Sequence, residues 1–326
     1  MSTELEKALQ MLNDEENDEK SPLNKLSNTF ESNLEDFILN TIKANLCSTI
    51  GIKYELGDVY VTCVYPSKTK LEKFSNYNEE EYYDFCKKIL RIDRDEEFNC
   101  SRTVNVSGVR TRVYSVMPPL VKTPNITIST TKEPPAIYNN KQTIEPELFN
   151  KIVHSNFIIV GASGSGKTYL LNYLLSNFIK ENERLALIEE FGELIPPNAI
   201  TNSIIVPPPK PGEESLLKFV TEQSNLMRLD KICVGEVKGA EAWPMVVNMA
   251  SGTSMCCTLH GQNARQALSR LRALCRMSCD NDAAIDEFIA KSIDYIIVMK
   301  NRNIEDIQQL THTVLNGNFQ MKEVAS

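Results

Sequence analysis

The stretch Gly161 to Thr168 reads GASGSGKT and fits G-x-x-x-x-G-K-[ST], a spacing that suits phosphate. Glycines at 161, 164 and 166 let the backbone turn its N–H groups inward around phosphate oxygens, with Ala162, Ser163 and Ser165 contributing the remaining amides. Lys167 brings a charge for the β- and γ-phosphates of a nucleotide, and the Thr168 hydroxyl is a ligand for Mg²⁺. Phosphate hydrolysis also needs carboxylates near the carboxyl ends of neighbouring strands, one to orient or deprotonate water and one to hold the metal. Two apolar runs end in candidates: LALI is followed by Glu189, Glu190 and Glu193, and KICV by Gly235 and Glu236. His260 closes the run CCTLH and is placed to donate to a γ-phosphate, whereas His154 and His312 have no such context and read as structural or exposed.

These residues need a scaffold that brings several strand ends together. From residue 155 onward short apolar strands (FIIV, LALI, SIIV, KICV, SMCCTL, DYIIVM) alternate with helices, the pattern of a mostly parallel sheet covered on both faces. The helix after the glycine-rich stretch carries Leu170, Leu171, Leu174, Leu175, Phe178 and Ile179 on one face, a core stripe that holds the loop. Upstream, NLEDFILNTIKANL and EEEYYDFCKKILRI have helical spacing, while DVYVTCV, RTVNVSGVRTRVYSVMPP and NITIST read as strands. The expected organisation is an acidic, disordered segment over residues 1–31, an α+β domain over 32–131, a proline-interrupted linker over 132–148 with a short helix near Glu145 to Lys151, and an α/β nucleotide-binding domain over 149–326.

Composition narrows the field. A chain of 326 residues with 42% hydrophobic and 24% charged side chains is an ordinary globular protein long enough for two cores. Its net charge of −8 is concentrated at the front, where residues 1–36 hold ten acidic side chains against Lys7, Lys20 and Lys25. The near-neutral remainder offers no basic cluster for a nucleic-acid backbone. Nine cysteines without metal-ligand spacing, and no apolar run near the ~20 residues needed to span a bilayer, point to a reducing, cytoplasmic setting without a transmembrane segment. Cys256 and Cys257 lie in SMCCTL and read as core packing rather than a redox element.

In order and separation, GASGSGKT, LIEEFGEL, ICVGEVKGAEA and CTLHGQNARQALSRL resemble the Walker A, Asp box, Walker B and His box of the secretion or traffic ATPases. Those enzymes power type II and type IV secretion, conjugation and the assembly of type IV pili. VRTRVYSVMPP followed by NITI is similar to the end of that family's N-terminal domain, so the resemblance covers roughly residues 95 to 315. It implies a RecA-like P-loop domain, ATP with Mg²⁺, a homo-hexameric ring, and a place at the inner face of the membrane beside platform or secretion-channel proteins. Glu236 and Glu189 take catalytic roles, His260 senses nucleotide state, Thr168 and Glu190 hold Mg²⁺, and Arg112 and Arg228 face nucleotide. Several positions depart from the family pattern: Glu190 replaces an aspartate, and Lys238, Leu226 and Ser129 stand where arginines are usual. Lys238 keeps its charge but loses the planar fork. Thr253 stands where a second histidine is usual. Cys275 and Cys279, spaced C-x₃-C without a second pair, do not make the four-cysteine zinc motif of the extension branch, which favours the shorter branch.

The reading is therefore a two-domain ATPase driving secretion, conjugative transfer or pilus assembly. A low-turnover nucleotide-binding scaffold or switch is the alternative, motivated by the lost cations, and a nucleic-acid motor is disfavoured by the charge distribution. Deleting residues 1–30 is expected to leave nucleotide affinity unchanged in a calorimetric titration, and loss of binding would make that segment part of the folded domain.

Overall fold

The computed structural model describes residues 33–44, 47, 49–65, 68–92, 99–106, 108–130, 144–207, 209, 215–315 and 317–325. The acidic segment 1–31 and residues 132–143 of the expected linker lie outside the described residues. The chain divides into two compact units, the first ending at Thr130, with Ser101–Thr103 grouped with the second.

The first unit combines helix α1 (Leu34–Ala44), strands β1 (Thr49–Glu55), β2 (Asp58–Val64) and β3 (Thr69–Ser75), helix α2 (Glu79–Leu90), and strands β4 (Asn99–Val106), β5 (Val109–Val116) and β6 (Asn125–Thr130). The strands form one six-stranded sheet in the order β3-β2-β1-β6-β5-β4, in which β1 pairs antiparallel with β2 and β6. Val59, Val61 and Cys63 alternate inward along β2 and pack with Ile38 and Ile42 of α1 and Tyr82, Phe85 and Leu90 of α2. A capping box starts α2: Asn78 Oδ1 accepts from the Glu81 amide at 2.9 Å, and Glu81 Oε2 accepts from the Asn78 amide at 2.9 Å. Strands β1 and β3 go beyond the sequence reading. The polar TKLEKFS of β3 carries no apolar stripe because it is an edge strand with no buried residue.

The second unit is the expected α/β, RecA-like body. Helix α3 (Pro146–Val153) precedes β7 (Phe157–Gly161), α4 (Lys167–Phe178), β8 (Arg184–Glu189), β9 (Ile200–Ile205), α5 (Leu216–Gln223), β10 (Lys231–Val237), α6 (Ala242–Ala250), β11 (Met255–His260), α7 (Ala264–Cys275), α8 (Asp282–Ser292), β12 (Tyr295–Lys300), β13 (Asn303–Leu315) and β14 (Asn318–Ala325). The eight strands run in the order β14-β13-β12-β7-β11-β10-β8-β9. From β12 to β9 every pairing is parallel. β7 shows why its sequence is apolar throughout. Ile158 and Val160 enter one core with α6, α7 and α8, while Phe157 and Ile159 enter the other with α3 and α4.

Two features differ from the alternation read in the sequence. The single helix expected before the last parallel strand is a pair, α7 and α8, and an antiparallel hairpin, β13–β14, extends the sheet beyond β12. The hairpin was not legible because QQLTHTVLNGNFQMKEVA is largely polar, as suits strands outside the covered centre. Cys233, Cys256 and Cys257 are fully buried, in line with core packing. Among the described residues no helix is long and apolar enough to cross a membrane.

Ile159 is fully buried in the strand that carries the glycine-rich loop. Ile159→Ala is expected to cost about 2–5 kcal/mol in chemical denaturation of the second unit, and an unchanged midpoint would show that β7 is not the centre of its core.

Candidate functional site

β7 delivers Gly161 to the carboxyl edge of the parallel sheet, and α4 begins six residues later at Lys167. Between them Gly164 and Gly166 adopt φ of 72° and 96°, a left-handed turn that a side chain would strain. Gly161 is glycine for a different reason: a Cβ there would sit 2.3 Å from Ser165 Oγ and 2.7 Å from the Met299 carbonyl. The loop is braced internally by the Ser165 amide donating to Ala162 O at 3.2 Å, and from β12–β13 by the Arg302 amide donating to Ser165 O at 3.1 Å. Ala162, Ser163 and Gly164 are exposed, and no side chain caps the first turn of α4. The free amides of a helix start therefore open onto the loop, the arrangement that accepts phosphate.

Two atoms mark the cradle. Ser165 Oγ is buried and has no hydrogen-bond partner among the described residues. Lys167, only 7% exposed, folds back so that Nζ donates to the carbonyls of Gly161 and Ala162, each at 3.0 Å. Burial pushes the Lys167 ammonium below the usual lysine value, with Glu236 and Glu193 acting against the shift. A phosphate would supply the counter-charge this amine lacks. Thr168 follows in the first turn of α4, half-buried. Among the described residues no three His, Cys, Asp or Glu side chains converge to hold a metal by themselves. The hydroxyl of Thr168 fits Mg²⁺ of the kind that arrives with a nucleotide and takes most of its ligands from phosphate and water.

The carboxylates occupy distinct environments. Glu189 lies at the end of β8 rather than beyond it, and its carboxylate accepts from the Glu193 amide at 2.6 Å and the Leu194 amide at 3.1 Å. Asn172 of α4, which carries no motif to single it out, meets the same loop: Nδ2 donates to Glu193 O at 3.1 Å and Oδ1 accepts from the Ile195 amide at 3.0 Å. The phosphate helix is thereby stitched to the turn after β8. Glu190, 4% exposed at its side chain, is paired with Lys238, whose ammonium also lies 5.1 Å from the centre of the Phe191 ring. A metal-holding role for Glu190 requires that pair to open. Glu241, likewise unanticipated, is 1% exposed and accepts from the Lys238 and Gly239 amides at 2.6 and 2.8 Å, closing the turn after β10.

Glu236 and His260 come together. The parallel register of β10 against β11 shifts between Val234 and Val237, so the stretch holding Gly235 and Glu236 has an extra residue relative to its neighbour. Gly235 fits there because a Cβ would lie 2.9 Å from Glu189 Cβ, and its carbonyl accepts from Thr258 Oγ1 at 2.6 Å. At that irregularity Glu236 Oε1 lies 2.9 Å from His260 Nε2.

The two arginines lie elsewhere. Arg228 is exposed, in a left-handed conformation ahead of β10, hence at the opposite end of the strands from the glycine-rich loop and not brought to the loop of its own chain. Arg112 belongs to the first unit, half-buried on β5 directly across from Ser129 of β6. His154 pairs with Glu183 at 3.0 Å and His312 meets Ala290 O at 2.9 Å, as befits structural residues.

The sequence profile of the type II/IV secretion system proteins matches residues 125–319, more than half of the chain. The chain belongs to that family. Among relatives of this secretion-system protein, a putative conjugal transfer protein of Mycobacterium tuberculosis is 27% identical over 208 residues, covering 60% of this chain and 58% of that protein. VirB11 of Agrobacterium fabrum is 29% identical over 146 residues, covering 43% and 42%. The chain thus spans less than two thirds of the length of either. The fold matches that of the ATPase DotB of Legionella pneumophila at a TM-score of 0.62 and 16% identity, over 87% of this chain and 79% of that one.

Removing the Glu189 carboxylate leaves two loop amides without their acceptor. Glu189→Ala is expected to lower unfolding stability by about 1–3 kcal/mol, and Glu189→Gln by less; equal stability of Glu189→Ala and wild type would free this carboxylate from a structural role.

Proposed function

We propose that the chain is an ATP hydrolase whose turnover drives type IV secretion, conjugative transfer or pilus assembly. The observation that carries this reading is the Glu236–His260 contact of 2.9 Å on strands beside the glycine-rich loop. It puts a carboxylate and a proton-bearing ring side by side near the place a γ-phosphate would occupy. Lys167 leaves its two carbonyls for the β- and γ-phosphates, and the loop amides with the start of α4 hold the remaining oxygens. Thr168 holds Mg²⁺, which when bound neutralises charge on the β- and γ-phosphate oxygens. Glu236 orients the attacking water and takes its proton, while His260, released from or held by Glu236, reports whether the γ-phosphate is present. Glu189 acts by fixing the turn after β8, with direct catalysis left to Glu236.

The working form is a homo-hexameric ring at the cytoplasmic face of the membrane, beside platform or channel proteins. The name of the conjugal transfer relative supports the transfer role itself. Arg112 is the nucleotide-facing arginine of the first unit. Arg228, distant from its own loop, serves the nucleotide of a neighbouring copy. The scaffold reading keeps one specific support: Lys238 is engaged with Glu190 and Phe191, so this cation is not at hand for phosphate.

Steady-state Mg²⁺-ATP hydrolysis beside Glu236→Gln, with oligomeric mass recorded in the same nucleotide, decides between the two. The ATPase reading expects turnover to fall at least about 100-fold, within the range for loss of a general base, while the assembly persists. A wild type that binds ATP and assembles without measurable turnover would favour the scaffold.

A further inference from the structure

A cavity of about 300 Å³ adjoins the glycine-rich loop, lined by Ala162, His260, Gly261, Gln262, Gln266 and Arg270. Its walls are set by a tight approach of α7 to β7. A Cβ on Gly261 would lie 2.9 Å from Val160 Cγ1 and 3.4 Å from Ala267, so only glycine lets the helix come this close. Three arginines of α7 and its C-cap, Arg270, Arg272 and Arg276, are treated unequally. Arg272 is paired with Asp286 at 2.5 Å and Arg276 with Asp282 at 2.6 Å. Arg270 is exposed, lines the cavity, and has no ion pair or hydrogen bond among the described residues. Gln266, one helical turn earlier, presents a neutral amide to the same space. His260 is the other titratable group of the lining, with Glu236 behind it at 2.9 Å.

Resting on the ATP hydrolase reading, we propose that this cavity is an inorganic phosphate site and that Arg270 is the cation that binds the anion there. In hydrolysis the γ-phosphorus gains the oxygen of water and loses the bridging oxygen, which departs with ADP, while the water's proton passes to Glu236 and on to solvent. The product dianion then needs a cation other than Lys167, which remains with the β-phosphate of ADP. A planar guanidinium suits two phosphate oxygens at once, and Gln266 adds a neutral donor. The cavity opens beside Ala162, so phosphate moves into it from the loop past His260, which couples departure of the anion to the Glu236–His260 contact.

The test uses the full chain loaded with Mg²⁺-ADP and titrated with inorganic phosphate by calorimetry. Wild type is expected to bind phosphate, Arg270→Ala to bind it at least tenfold more weakly, and Arg270→Lys to fall between them. Mg²⁺-ADP affinity and melting temperature should stay near wild type in both variants. Unchanged phosphate affinity in Arg270→Ala, or a wild type that binds Mg²⁺-ADP but no phosphate, would overturn the site while leaving the hydrolase reading intact. A wild type that binds no Mg²⁺-ADP would overturn both.

Discussion

The end of β7 has no room for a side chain, and the rest of the site follows from that. A methyl at Gly161 would overlap Ser165 Oγ and the Met299 carbonyl, so strand, loop and the adjacent β12 come together at a point where β7 has no side chain. This closeness makes the loop turn sharply through two left-handed glycines and enter α4 with its first amides uncapped. Lys167 is buried there, and among the described residues its ammonium donates to the main-chain carbonyls of Gly161 and Ala162. A buried ammonium facing carbonyl dipoles, together with a Ser165 hydroxyl that has no partner among the described residues, is an electrostatic arrangement that an anion would complete.

The surrounding carboxylates show how one sheet edge separates tasks. Glu189 and Glu241 are nearly fully buried and spend their oxygens on backbone amides, which fixes the turns after β8 and β10. Glu190 is neutralised by Lys238. Glu236 is the one among these that faces a histidine, at an irregularity in β10 that no regular strand would provide. The turns after β8 and β10, tied by these amides, flank the pair, and His260 also lines the cavity that Gln266 and Arg270 of α7 share.

The parallel sheet, the loop and the strand ends were legible because they rest on local patterns: fully apolar runs, glycine spacing, and a leucine stripe at helical period. What was not legible depends on side-chain contacts that leave no pattern in the sequence, whether between near neighbours or distant residues. Glu189 and Glu236 look alike in the chain, each a glutamate at the end of an apolar run, and only the fold reveals that one is tied to amides and the other to His260. Asn172 lies inside a helix with no marker, yet it joins that helix to Ile195. Polar edge strands β3 and β14 escaped notice because they have few or no inward positions to enforce alternation. The parallel direction of β7, β11 and β10 places Arg228, just before β10, at the opposite end of the strands from the glycine-rich loop.

The central claim is that Lys167, held by its own loop, is the group that ATP recruits. Equilibrium binding of Mg²⁺-ATP to wild type and Lys167→Ala measures it directly. The account predicts a loss of affinity of about ten- to a hundredfold, as for removal of a charge-assisted hydrogen bond, with the fold retained. Equal affinity in a folded Lys167→Ala protein would contradict it and would mean that the glycine-rich turn is not where the nucleotide is held.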